Sequence, residues 1–111
     1  MLGQLLFSQL RWFSKVCSTP KEAIEGLKDG ALIMCGGFGI CGVPMNLIGA
    51  IYEVGTKGLT VASNNCGYGG KEPDSDWGLS LLLRNHQIKR MISSYVGENV
   101  EFERQFFSGE L

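Results

Sequence analysis

A single histidine, His86, is all the imidazole this chain has. Its four cysteines, Cys17, Cys35, Cys41 and Cys66, form no C-x-x-C pair and have no histidine at a metal-finger spacing. That pattern argues against a tetrahedral zinc site, and no metal is expected. Excess charge of either sign is missing: Lys plus Arg number 10 against 11 Asp plus Glu, a net charge of -1. No polybasic field exists to hold nucleic acid or an anionic membrane, so neither is an expected partner. The longest uncharged stretch, residues 30–52, is punctuated by glycines, Pro44 and Asn46, which argues against a transmembrane helix. No apolar leader with a small-residue cleavage site opens the chain, so the thiols are read as reduced. With 44% hydrophobic and 19% charged residues the composition is globular, and 111 residues make one small domain rather than two.

The first nineteen residues also lack any acid; the first carboxylate is Glu22. They carry Arg11 and Lys15, and as a helix would align Leu5, Leu6, Leu10 and Phe13 with Trp12 at the edge. A basic, acid-poor amphipathic segment of this kind reads as a mitochondrial transit peptide over 1–17, the other reading being an ordinary N-terminal helix. The folded domain is then expected over 18–111.

What the sequence has in abundance is glycine, 16 residues, about twice the usual frequency of roughly 7%. Ser18-Thr19-Pro20 with Glu22 predicts a capped helix start. The apolar run Ala31 to Cys35 predicts a parallel strand buried on both faces. Gly36 to Gly42 then turns the chain into a helix opened by Pro44, running through Tyr52 and ended at Gly55 or Gly58. Leu59 to Ser63 predicts a second strand, giving a βαβ unit. After a glycine- and charge-rich loop, a short helix is expected over Trp77–Asn85 and a third parallel strand over Met91–Tyr95. A last helix is expected from Asn99 to Phe107, broken at Gly109. The fold class is α/β: an open, mostly parallel sheet with helices on both faces, incomplete in this chain.

Gly37-Phe38-Gly39-Ile40-Cys41-Gly42 satisfies G-x-G-x-x-G after a strand and before a helix. Glycines there let backbone N–H groups approach an anion at a helix N-terminus. A dinucleotide site also wants an acid at the end of the next strand, where this chain has Ala62-Ser63-Asn64-Asn65. A tight turn needed only for packing remains open, as does a thiol chemistry using Cys41, with His86 the sole imidazole available to it.

The residues from Asp29-Gly30 through Gly36-Gly37-Phe38 to Gly42-Val43-Pro44 resemble the signature of class I coenzyme A transferases, in their 3-oxoacid branch. The resemblance continues through Ser63-Asn64-Asn65-Cys66-Gly67, residues 87–99 and residues 101–111. It implies transfer of CoA from succinyl-CoA to a 3-oxoacid such as acetoacetate, through a glutamyl-CoA thioester, in ketone-body catabolism in the mitochondrial matrix. Coenzyme A would be a substrate, with no separate cofactor, and the full-length protein a homodimer. The family's glutamate lies in a glutamate- and glycine-rich motif that this chain does not contain, so no catalytic residue is assigned. Glu98, Glu101, Glu103 and Glu110 read instead as solvated surface charge. By the resemblance, Gly36, Gly37, Phe38, Gly39, Gly42, Pro44, Asn64 and Asn65 shape the substrate and CoA pocket, Asn64 being the first choice of amide donor. Cys35, Met45 and the long segment 68–77 depart from the family pattern. The expected entity is a truncated transferase domain, inactive alone; a non-catalytic CoA- or nucleotide-binding fragment, or a short subunit needing a partner, is the alternative.

Overall fold

A computed structural model describes residues 16–111. The predicted amphipathic helix with Leu5, Leu6, Leu10 and Phe13 lies outside the described residues. Thr19 caps helix α1 (Pro20–Ala23), its side chain accepting from the Glu22 N–H at 3.1 Å. The Glu22 carboxylate accepts from the Ser18 N–H at 2.9 Å, so the capping box closes one residue earlier than the usual form. The turn at residues 28–30 is pinned to the next crossover: Gly30 N–H donates to the Lys57 carbonyl, and Asp29 accepts from the Lys57 N–H at 2.8 Å.

Strand β1 (Leu32–Met34) leads through the glycine loop into helix α2 (Met45–Val54), ended by Gly55 in the left-handed conformation. Strand β2 (Leu59–Ala62), helix α3 (Ser80–Arg84), strand β3 (Ile88–Ile92) and helix α4 (Val100–Ser108) follow. The three strands form one parallel sheet in the order β1-β2-β3, with Ile33 beside Val61 and Val61 beside Met91. The α/β class and the parallel pairing stand as read from sequence. Asn99 caps α4 by accepting from the Phe102 N–H at 2.9 Å, and Gly109 ends it in the left-handed conformation, as its position predicts.

Three expectations change. The strand expected at Met91–Tyr95 ends at Ile92, because Ser93 leaves the ladder and its hydroxyl donates to the carbonyls of Asn64 and Tyr95. The helix expected from Trp77 starts at Ser80, since Trp77 pairs its backbone with Tyr68 and Gly78 sits at φ 69°. The third concerns burial. Leu59, Val61 and Ile88 are buried under Ile48 and Ile51 of α2, Leu82 and Leu83 of α3, and Phe102 of α4. On the opposite face Leu32 is 63% exposed, Met34 86% and Ile92 50%. The apolar run of β1 is therefore covered on one face, because the core residues of the described helices all pack on the Ile33 side of the sheet. Among the described residues the buried side-chain N and O atoms all have hydrogen-bond partners. The Gln87 amide donates to the Ile51 and Thr56 carbonyls, tying β3 to α2, and that of Gln105 donates to Leu83.

Candidate functional site

Parallel strands point their carboxyl ends the same way, so the segments following β1, β2 and β3 meet at one edge of the sheet, where open α/β sheets bind ligands. After β1, the glycine loop folds back as a hairpin. Phe38 and Cys41 exchange both backbone hydrogen bonds, at 2.9 and 3.0 Å, with Gly39 and Ile40 at the tip. Gly37 must be glycine: at φ 134° an added Cβ would stand 2.7 Å from a Val43 methyl. Gly36 lies against the Gly42 carbonyl, and Phe38 is exposed. Pro44 occupies the N-cap of α2 rather than its first turn, with no side-chain cap. Two amides of the loop are thus consumed within the hairpin. That geometry does not favour the dinucleotide reading, which needs those N–H groups turned toward a phosphate.

After β2, Asn64 and Asn65 stand side by side but do different work. The Asn64 amide donates to the Ser94 hydroxyl at 3.1 Å, and its carbonyl accepts from Ser93 at 2.7 Å, locking the second loop to the third. Asn65 is buried and accepts from the Gly67 N–H in a local turn. Gly67 has φ 72°, and a side chain there would collide with the Trp77 carbonyl. The buried Asn99 amide donates to the Cys66 carbonyl at 3.0 Å, fixing the same loop from the start of α4.

These loops enclose a cleft of about 240 Å³. Gly39 and Ile40 form one wall, Asn65 and Tyr68 another, Tyr95 and Glu98 the third. Of the expected site residues, Gly39 and Asn65 line the cleft; Gly37 supports the hairpin behind it, and Asn64 braces the adjoining loop. Ile40, Tyr68, Tyr95 and Glu98 are lining residues that the sequence pattern did not assign. Topology was the available signal, because residues 93–98 follow β3 as Asn64 and Asn65 follow β2. A larger groove of about 440 Å³ runs past Arg90, Met91, Phe106 and Leu111. It includes none of the glycine-hairpin or asparagine residues, so the smaller cleft is the chemical candidate.

The long segment 68–77 is held from behind the cleft. Tyr68 and Trp77 pair their backbones, and Arg84 binds Asp76 while donating to the Gly70 carbonyl at 2.8 Å. Arg84 also lies 3.6 Å from Glu101, which pairs with Arg104, which in turn pairs with Glu110. Glu101, expected to be solvated, is therefore buried. Hydrogen bonds from Arg104 hold its carboxyl below the usual carboxylate range despite the opposing effect of burial. Its i+3 and i+4 neighbours Arg104 and Gln105 were the sequence signal for that pairing.

The thiol reading finds no support. Burial pushes the Cys66 thiol far up, and Cys35 is raised by the same cause, which disfavours the nucleophilic thiolate. Cys41 follows β1 whereas His86 precedes β3, placing them at opposite ends of a parallel sheet. Among the described residues no group of three His, Cys, Asp or Glu could hold a metal, and no helix is long and apolar enough to cross a membrane.

The coenzyme A transferase family model matches residues 17–111. The chain is 58% identical over 97 residues to one subunit of a probable succinyl-CoA:3-ketoacid coenzyme A transferase of Bacillus subtilis, covering 87% of this chain and 38% of that relative. It is 46% identical over 92 residues to the mitochondrial succinyl-CoA:3-ketoacid coenzyme A transferase 2B of Mus musculus, covering 83% of this chain and 16% of the relative. An acyl-CoA transferase of E. coli O157:H7, solved as a thioester complex with CoA, superposes with a TM-score of 0.64 over 84% of this chain and 19% of its own, at 18% identity. That likeness shows the fold. The chain thus spans well under half the length of these relatives. A match over nearly all the described residues, on a parallel sheet whose loops converge as the motif order requires, settles the grouping: the chain belongs to the coenzyme A transferase family.

Proposed function

We propose that this chain is the amino-terminal part of a transferase domain that moves CoA from succinyl-CoA to a 3-oxoacid such as acetoacetate. The observation that carries the reading is the cleft itself. In a chain of this family, the glycine hairpin and the Asn64–Asn65 turn meet at the carboxyl edge of the sheet, where a thioester would be held. The nucleophile is a glutamate outside this chain. Its carboxylate oxygen bonds to the thioester carbonyl carbon as CoA thiolate leaves, giving a mixed anhydride; the thiolate then attacks the glutamyl carbonyl and releases succinate. The resulting glutamyl-CoA thioester passes CoA to the acceptor by the reverse steps.

This chain's part is positioning. The Asn64 amide has two N–H donors, of which one is given to Ser94. By the family resemblance we assign the other, on the loop beside the cleft rather than in its lining, to the oxyanion that forms on the attacked carbonyl, a role in which preorganised donors act only as charge develops. The Ser93 and Ser94 contacts keep that amide from reorienting. Residues 1–17 act as a transit peptide in this reading, which places the protein in the mitochondrial matrix as part of a homodimer; two similar mouse relatives carry mitochondrial names.

The test is an assay of CoA exchange between succinyl-CoA and acetoacetate. The polypeptide that carries this segment together with a downstream glutamate turns over, and the 111-residue chain alone does not. Asn64→Ala in the longer polypeptide lowers kcat about 100-fold with little change in KM. A longer polypeptide without exchange activity overturns the reading, and turnover by the 111 residues alone overturns the need for an outside glutamate.

A further inference from the structure

Three sulfur-bearing side chains gather on the helix-covered side of the sheet, toward its carboxyl end, and neither the cleft nor the chain of ion pairs uses them. Side chains alternate along β1, so Cys35, two residues beyond Ile33, falls on the same side and packs against the core as Ile33 does. Its N–H donates to the Ala62 carbonyl at 2.9 Å, which carries the ladder one residue past the end of the strand. Met91, two strands across from Ile33, packs against the same core. Cys66 is fully buried there, and its Sγ donates to the Met91 Sδ at 3.9 Å. Cys35 lies within electrostatic reach of it: burial raises the Cys66 thiol, and the neighbouring Cys35 raises it further.

Thiolate and thioether sulfurs are soft donors, suited to a soft cation. A metal bonded to the Cys66 and Met91 sulfurs at roughly 2.3 Å, as in zinc–thiolate bonds, would see them at an angle of about 116° across their 3.9 Å separation. That angle is close to the one a trigonal centre requires. Zinc in a closed site takes four ligands drawn from Cys, His, Asp and Glu, and among the described residues not even three such side chains come together. We propose that Cys35, Cys66 and Met91 form a three-sulfur site for the soft monovalent cation Cu(I). The ion bonds to two thiolates and the thioether as both thiols give their protons to solvent, copper keeping its oxidation state. Half-buried Cys35 is the way in from solvent to the fully buried Cys66. Because Cys66 lies between Asn65 and Gly67, the bound ion joins the asparagine loop to the base of the glycine hairpin. The site uses sulfurs that the transfer chemistry does not, and Cys35 is itself a departure from the family pattern, so it stands or falls apart from the transferase reading.

The experiment offers Cu(I) alone, held by a chromophoric chelator in the absence of oxygen, to the full chain and reads the chelator's loss of colour. Cys17→Ser together with Cys41→Ser removes the two exposed thiols and is the background for every variant. The background chain takes one Cu(I) from the chelator, and copper X-ray absorption finds sulfur neighbours only. Loss of an outer-shell partner costs a metal site roughly 10–100-fold in affinity, and loss of a ligand costs more. Cys66→Ala and Cys35→Val are therefore each expected to weaken uptake about 100-fold or more. Met91→Leu removes the thioether while keeping the core volume, and weakens uptake about tenfold or more. Because Cys35→Val and Met91→Leu keep apolar side chains of similar size in place, a loss of uptake in them cannot be laid to a failure to fold. No uptake by the background chain, unchanged affinity in Cys66→Ala, or oxygen and nitrogen neighbours around the copper overturns the site. Unchanged affinity in either Cys35→Val or Met91→Leu overturns the three-sulfur centre. None of these readouts depends on CoA transfer, so either result leaves the proposed function where it stands.

Discussion

One sheet with three strands shows two faces of opposite character. Ile33, Val61, Leu59 and Ile88 face the helices, and the last three are buried. Leu32, Met34 and Ile92, from the same strands, lie open. Apolar side chains stand on both faces, so the difference is one of covering elements rather than of strand composition. An apolar strand records that both of its faces suit burial; whether each face is buried depends on elements elsewhere in the chain or assembly. Reading burial from the apolar run alone takes the first statement for the second, and β1 is where they part.

The largest expected effect lies on the covered face. Leu82 is fully buried against the sheet, and Leu82→Ala removes its contacts and leaves a cavity. The cost is about 2–5 kcal/mol, read as a lower denaturation midpoint at unchanged slope. A loss below about 1 kcal/mol would show that this core is loose, and the two faces would then differ less than their burial implies.

Legibility followed the same division. Elements bounded by local chemistry were readable: Thr19, Asn99, Gly55 and Gly109 act as caps where their residue types put them. Boundaries set by contacts distant in sequence were not. β3 was misplaced because Ile88 and Met91, three residues apart, both face the core. The register shift at Leu59/Thr60, which leaves Lys89 without a partner in the ladder, reconciles that spacing with a strand. A period-two reading has no access to such an irregularity. At the site, the glycine loop after β1 and the asparagine loop after β2 were legible as loops from the residue pattern. Tyr68, Tyr95 and Glu98 were not, since their place depends on three crossovers bringing three loops to one edge. Glu101 was misread for a related reason: its i+3 partner is local, but Arg84, which helps enclose it, lies on another helix.

A smaller effect sits at the end of α4, where the covering layer meets solvent. Hydrogen bonds from Arg104 and Ser108 lower the Glu110 carboxyl to about 2, and Arg104 lowers Glu101 as well. Carboxyls depressed in the folded state stabilise it fully above their unfolded range, near 4.5, and lose that contribution as the pH falls toward about 2. The melting temperature of the intact protein should therefore fall across this acid window. Arg104→Ala should flatten the fall, and added salt should reduce it for the exposed pair with Glu110. An unchanged acid profile in Arg104→Ala would show that this chain of charges contributes nothing to holding α4 on the covered face.

The smallest expected effect is the sharpest test of the comparison. Met34 sits one residue from Ile33 on the same strand, yet projects to the open face and is 86% exposed. Met34→Ser removes a large apolar side chain from a β1 position whose backbone is already paired with β2. If the open face is solvated, the change stays within about 0.5 kcal/mol, as substitutions at exposed positions do. If the face is covered in the molecule as it exists, by a further part of the polypeptide or by another protomer, the same substitution places a hydroxyl in an apolar contact and leaves a gap. Its cost then approaches that of Leu82→Ala. Measuring both substitutions in the 111-residue chain and in the longer polypeptide separates the cases: a penalty for Met34→Ser that appears only in the longer one identifies the added segment as the cover of this face.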